Sequence, residues 1–229
     1  TNAQIENGRF AIELLRSDLA HAGFWNGYIP EFDDLSHDTV PSDYPTVVPN
    51  PCQAYSSWNP TYIRNILGIS VQAYEHNALP AGCSPVVDNA QTSTDVLVVR
   101  HAATCEPGVG GCEADTAGRL YFQASRCNDD PAPYALGVAG FSLHERTKDT
   151  TVIPASCNTA LVPLAPKRKF NSSIYYIRNY SLNPGDGIPT LMRSEFDIAG
   201  GVLAHQPAQA LIEGVDAMRF EFGVDNLSK

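Results

Sequence analysis

The clearest periodic signal in this chain stands at its front. Ile5, Gly8, Ile12, Leu15, Leu19 and Ala22 follow one another at spacings of 3, 4, 3, 4 and 3, the recurrence that lines one side of an α-helix. Glu6, Arg9, Glu13 and Arg16 recur at i+3 or i+4 with alternating sign, which supports an exposed helix face. Gly23 is placed to take the left-handed conformation that closes a helix. The spacing therefore predicts a helix over residues 1–22. Phe10 and Leu14 lie off the main stripe, so the apolar surface is broader than a coiled-coil seam.

Behind Gly23 the helical pattern stops. Pro30, Pro41, Pro45, Pro49, Pro51 and Pro60 punctuate residues 24–60, and a proline has neither the N–H nor the φ freedom that regular elements need. This stretch reads as a long loop draped over the domain. Strand patterns come next: Gly68 to Tyr74, the apolar run Asp95 to Arg100, Leu120 to Ser125, Ser173 to Tyr180 and Thr190 to Phe196. Asn183 to Gly187 (NPGDG) is a turn signal between the last two. Met218, Phe220 and Phe222 alternate with Arg219 and Glu221, as in a two-faced strand. One helix followed by five to eight strands predicts an α+β fold, a helix packed on antiparallel sheet with long loops, and not alternating βαβ units.

Six cysteines (Cys52, Cys83, Cys105, Cys112, Cys127 and Cys157) are spread through loop-like sequence with no C-x2-C pair. That count and setting favour disulfides in an oxidising compartment over a zinc or redox motif. Fifteen connectivities are open, and loop closure favours near neighbours: Cys52–Cys83, Cys105–Cys112 and Cys127–Cys157. The chain carries a formal net charge of −10 at pH 7, a field that repels phosphate backbones and argues against nucleic acid as a partner. No apolar run approaches the roughly 20 residues that span a bilayer.

Catalytic patterns are missing. The sequence holds no G-x-S-x-G elbow, H-E-x-x-H, Walker loop or strand-linked G-x-G-x-x-G, so the residues predict no enzyme, no cofactor and no catalytic set. His21, His37, His76, His101, His144 and His205 form no i,i+4 pair, and His101 reads as a strand-end histidine before a disulfide loop rather than a metal ligand. Asp129, Asp130 and the NPGDG turn lack the full calcium-loop pattern and read as solvated acidic turns. Lys167-Arg168-Lys169, the only basic run, reads as a solvated loop. Asn171, Asn179 and Asn226 open short N-x-[ST] sequons.

Two segments carry a family resemblance. Gln4 to Phe24 (QIENGRFAIELLRSDLAHAGF) resembles the motif that closes the long first helix of PilW-type minor pilins, approximately ENxRFAxxxLxxDLRxAGY, with Ala20-His21 in place of the usual basic residue. Leu211 to Asp225 (LIEGVDAMRFEFGVD) is similar to that family's veGVexmxxxYGvD strand, with Phe222 at the usual Tyr position. DVLVVR and IYYIRNYS…PTLMRSEF stand in the expected order between them. Family patterns continue past the GVD segment, whereas this sequence stops at Lys229.

The resemblance implies a pilin-like head: residues 1–23 as the C-terminal half of the first helix, its membrane half removed, and residues 24–229 as a single β-rich head. It implies a structural subunit of the type IV pilus tip complex, which primes fibre assembly and supports adhesion or motility. The implied partners are other minor pilins, the major pilin, a large tip adhesin, and the inner membrane through the missing helix. The implied location is the inner membrane and periplasm, then the extracellular pilus tip. Pseudopilin J of type II secretion shares this architecture and is the alternative; a secreted disulfide-rich binding module or hydrolase is the second. The side chains expected to divide between helix–sheet core and subunit packing are Ile5, Ile12, Leu15 and Leu19.

Overall fold

The computed structural model describes residues 2–31, 41–75, 78–146, 157–158 and 160–223. The Asn226 sequon, the end of the GVD segment, His37 and His76 lie outside the described residues. Helix α1 (Asn2–Leu19) comes first. It ends three residues sooner than its pattern suggests, because the N–H groups of His21 and Ala22 bond back three residues to Asp18 and Leu19, tightening the last turn. Gly23 then takes φ +75°, the left-handed conformation that glycine adopts without a Cβ clash.

Among the described residues eight strands follow: β1 (Val71–Glu75), β2 (Asp95–Ala102), β3 (Tyr121–Ala124), β4 (Tyr134–Gly137), β5 (Lys167–Arg178), β6 (Thr190–Ala199), β7 (Val202–His205) and β8 (Gln209–Glu213). All pairings are antiparallel. The main path runs β1-β2-β5-β6-β8. β5 extends beyond β6 to pair its first residues with β3, which pairs β4, while β6 turns back into β7. The twelve-residue β5 is thus shared by three neighbours, and the sheet curls around it.

Side chains alternate across the two faces. Leu97, Val99, Tyr175, Ile177, Leu191 and Ile212 point to the face that α1 covers. Val96, Val98, Ile174, Tyr176 and Met192 point the other way, beside Ala102, Phe170 and Phe196. That second face is covered by Trp25 and by α2 (Pro60–Gly68) through Tyr62, Ile66 and Leu67. Every residue of β2 is buried in consequence, which is why its sequence is a continuous apolar run rather than an alternating one.

Helix α2 is absent from the sequence-based reading. Its start is encoded locally: the Asn59 side chain accepts the Tyr62 N–H at 2.8 Å, and Pro60 occupies the first turn, where a missing N–H costs nothing. The Pro-rich stretch is pinned beneath it by a buried polar node. Arg100, 2% exposed, donates to the Ile69 carbonyl and to Gln72 Oε1 at 3.0 and 2.9 Å. Gln72 and Tyr74 both donate to the Pro49 carbonyl, and Tyr62 to that of Asn50 at 2.6 Å. Burial, opposed by the nearby Tyr62 and Tyr74, lowers the guanidinium to about 10. It therefore remains charged at neutral pH.

Three disulfides tie the long loops: Cys52–Cys83, Cys105–Cys112 and Cys127–Cys157. These are the pairs that loop closure favours, and the first fastens the Pro-rich loop to the segment before β2. Two expectations need correction. Lys167-Arg168-Lys169 is not a loop but the start of β5, half-buried, with Lys167 on Asp115, Arg168 on Glu106, and Lys169 on Glu113 and Asp197. The acids of the Cys105–Cys112 loop and the residues behind it neutralise the run and let it pair as strand. Met218 to Phe222 is not a strand either. Gly214, at φ +74°, turns the chain out of the β8 ladder, and what remains is held by Asp95, whose N–H donates to the Met218 carbonyl and whose Oδ2 accepts from Phe220 N–H.

Trp25 is the centre of the α2-side core. It is 2% exposed, its ring stacks on Phe170 at 5.9 Å, and its Nε1–H donates to the Leu67 carbonyl at 3.1 Å. Trp25→Ala is expected to cost about 3–5 kcal/mol in urea unfolding, whereas Phe222→Ala, at an exposed position, should stay within about 0.5 kcal/mol.

Candidate functional site: the N-terminal helix and its seat

The structure divides the stripe that the sequence draws along α1. Ile5 and Ile12 are 59% and 64% exposed, and Phe10 is 64% exposed. Ala11 is buried, and Leu14, Leu15, Leu19 and Ala22 pack against the cluster of Leu97, Val99, Tyr175, Ile177, Leu191, Ile212 and Met218. The seated line therefore runs through Ala11, Leu14, Leu15 and Leu19, with Leu14, off the drawn stripe, inside it. Ile5 and Ile12 take no part in that core. The reason is geometric: Ile12 stands about 100° round the helix from buried Ala11, and Ile5 shares that side two turns earlier, away from the seated face. On the outer face Arg16 and Glu13 lie 3.7 Å apart and largely exposed, a pair worth little.

Near its N-terminal end the helix is tied through Asn7, whose Nδ2 donates to the Glu213 carbonyl at the end of β8 at 2.9 Å. Near its C-terminal end the tie is stronger. Asp18 Oδ1 meets His101 Nε2 of β2 at 2.8 Å, and Asp18 Oδ2 accepts from the Tyr175 hydroxyl of β5 at 2.8 Å. The Asp18 and His101 side chains are 16% and 11% exposed, so solvent screens this pair less than a surface one. Burial alone would lower the His101 pKa, but the hydrogen bonds to Asp18 and to the Ala102 carbonyl, with the Asp18 charge, raise it above 6.5. Burial and Asp18 also raise Tyr175, which keeps its hydroxyl proton at physiological pH. Nothing in the sequence pairs residues 18 and 101.

Beside this tie an open cleft of 440 Å3 runs along one flank of the helix. Phe10, Glu13, Leu14, Ser17 and Asp18 line it from α1 and His21 from the turn that follows, facing Tyr175 and Arg193. It presents an acid–base mixture without a positioned nucleophile.

Elsewhere, groups with possible chemistry are committed to structure. Asp130 accepts from His144 N–H and Nδ1 and from Ser125 Oγ, each at 2.7 Å. The Asp186 carboxylate of NPGDG takes the amide N–H groups of Ser181, Leu182, Asn183 and Ile188, which hold its pKa down at about 2. Asp129 lies near the sulfurs of Cys127 and Cys157, but those sulfurs are joined as a cystine. Ser194 and His205 approach to 3.2 Å, yet the serine hydroxyl donates to the Gln206 carbonyl at 2.6 Å. Burial, then the Arg100 charge, lowers His205 to about 3.

Among the described residues no helix is long and apolar enough to cross a membrane. Residues 174–229 match the family model described as Type IV Pilus-assembly protein W, PilW. The described part of this region contains the last five residues of β5, all of β6, β7 and β8, and the segment carrying Met218. It supplies Tyr175, Ile177, Leu191, Ile212 and Met218, most of the surface on which α1 sits. No curated protein and no solved structure matches the chain.

Leu15→Asp should lower stability by about 3 kcal/mol or more, because it puts a charge into an apolar seat. Ile12→Asp should change it by no more than about 0.5 kcal/mol. Paired urea titrations of the two variants provide the check, and equal losses would contradict the division of the helix described above.

Proposed function

We propose that this chain, whose C-terminal region is of the PilW type, is a minor pilin: a non-enzymatic assembly subunit of the type IV pilus tip complex. The PilW match over residues 174–229 carries this reading, because the matched region builds the seat of α1. The pilus-assembly family associates the chain with the cell envelope and with other pilus components. In the finer reading α1 continues an N-terminal rod that holds the subunit in the inner membrane and later packs in the fibre. The exposed ridge of Ile5 and Ile12, seven residues apart on one side of the helix, is then free to meet the helices of other minor pilins and the major pilin. The disulfide-braced, β-rich head faces the periplasm before assembly and the outside of the cell afterwards, where a tip adhesin is a further partner.

Apolar burial is worth roughly 25 cal/mol per Å2, so a ridge of two isoleucines contributes to a helix-to-helix contact. The test uses the full-length protein in its own cell. Ile5→Asp with Ile12→Asp should leave the head folded and its level unchanged, while reducing co-purification of other minor pilins and surface pili by at least about tenfold. Normal pilus numbers with undiminished co-purification would refute the assembly role of the ridge. Loss of secreted enzymes with intact pili would move the chain to the type II secretion system as pseudopilin J.

A further inference from the structure

The attachment of α1 to the sheet contains a histidine held between two hydrogen-bond acceptors. His101 Nδ1 lies 2.8 Å from the Ala102 carbonyl, and Nε2 lies 2.8 Å from the Asp18 carboxylate. Both neighbours are acceptors only, whereas a neutral imidazole has one donor and one acceptor nitrogen. Only the imidazolium donates at both. The neutral ring must turn a lone pair toward a carbonyl or a carboxylate.

The surroundings make this matter for the helix. On either side of His101 the chain leaving α1 is fixed to β2: Gly23 N–H donates to the Arg100 carbonyl at 3.0 Å, and the Phe24 carbonyl accepts from Ala102 N–H at 2.8 Å. The histidine therefore sits at the joint between helix and head. The facing groups are Asp18 from α1, His21 from the turn that follows it, Tyr175 from β5 and, opposite Tyr175 in register, Arg193 from β6. His21 lies with its ring 5.7 Å from that of His101, its Nδ1 directed to the Ser17 carbonyl. Arg193 is drawn toward Glu195 at 3.3 Å. Asp18, His21 and Tyr175 line the open cleft, which gives protons a route to the site.

We propose that Asp18, His101 and Tyr175 form a proton-controlled latch, which holds the last turns of α1 on the sheet while His101 is an imidazolium and loosens them when it is neutral. In the neutral state the Nε2–H tautomer keeps a bond to Asp18 but gives up the ion pair and the Ala102 bond. The carboxylate then retains one neutral donor and the Tyr175 hydroxyl. A histidine pKa above its ordinary 6.5 fixes the sign. The latch contributes fully below pH 6.5, and its contribution is lost as pH rises through the folded-state value. The inference rests on this cluster alone, whatever the chain assembles into.

The His101 ring resonances, followed by NMR from pH 5 to pH 9 in the wild-type protein, should titrate with a midpoint above 6.5. Over the same interval the opening constant of the Leu19 and Ala22 amides, corrected for intrinsic exchange, should rise about fivefold, the difference between a charge-assisted and a neutral hydrogen bond. Asp18→Asn should bring the His101 midpoint down, and His101→Gln should make opening independent of pH. A wild-type midpoint at or below 6.5 would overturn the latch and needs no variant. So would pH-independent opening, or the same pH response in His101→Gln, which would assign it to His21.

Discussion

The structure depends on the pairing of β2 with β5 at the centre of a sheet buried on both faces. Six residues of each strand face one another in register, from Leu97 and Tyr175 to Ala102 and Phe170, and apolar side chains point both ways, with Arg100, His101, Ser172 and Ser173 buried among them. A sheet of this kind cannot stand with one side in water. It must be covered twice, and the chain supplies two unlike covers: α1 on one face, and Trp25, α2 and the Pro-rich loop on the other. The long loops are thus the second layer of the domain, which explains why the Cys52–Cys83 disulfide and the Arg100 node are spent on holding them.

The two covers differ in how they are attached. The loop layer is fixed by covalent bridges and by a buried cation whose charge is insensitive to physiological pH. The helix layer is fixed by leucines along half its length, by Asn7 at one end and by a carboxylate–histidine–tyrosine group at the other. An apolar seat tolerates small rotations and slides, since burial is non-directional. The Asp18 tie adds direction and places it at the glycine joint where helix becomes head. This joint sets the angle at which α1 leaves the sheet.

The candidate site differs from a binding pocket. It is a helix with one face seated, while Ile5 and Ile12 on one flank and Phe10 on the other are turned to water. The PilW-type region lies beneath the seated face, so the family likeness and the packing concern one part of the molecule. Such a layout suits a protein that works by being built into something. The acidic turns and the Ser194–His205 approach, in contrast, spend their polar groups within the fold.

The sequence by itself determined the α+β class, the helix at the front, the strands β2, β3 and β6 and the core of β5, and the turn at NPGDG, because these signals are local: period, proline, glycine and β-branched runs. It also held the start of α2 in Asn59-Pro60, a cap pattern hidden by the prolines before it. The two halves of the PilW resemblance were legible at the ends of the chain. Only the tertiary structure decided which residues of the α1 stripe face the sheet, since that depends on where the helix crosses it and not on its period. It alone turned Lys167-Arg168-Lys169 from loop to strand, through acids brought over from residues 106–115 and 197. It also released Met218 to Phe222 from the ladder, and joined Asp18 to His101 across 83 positions, a contact that no local pattern encodes.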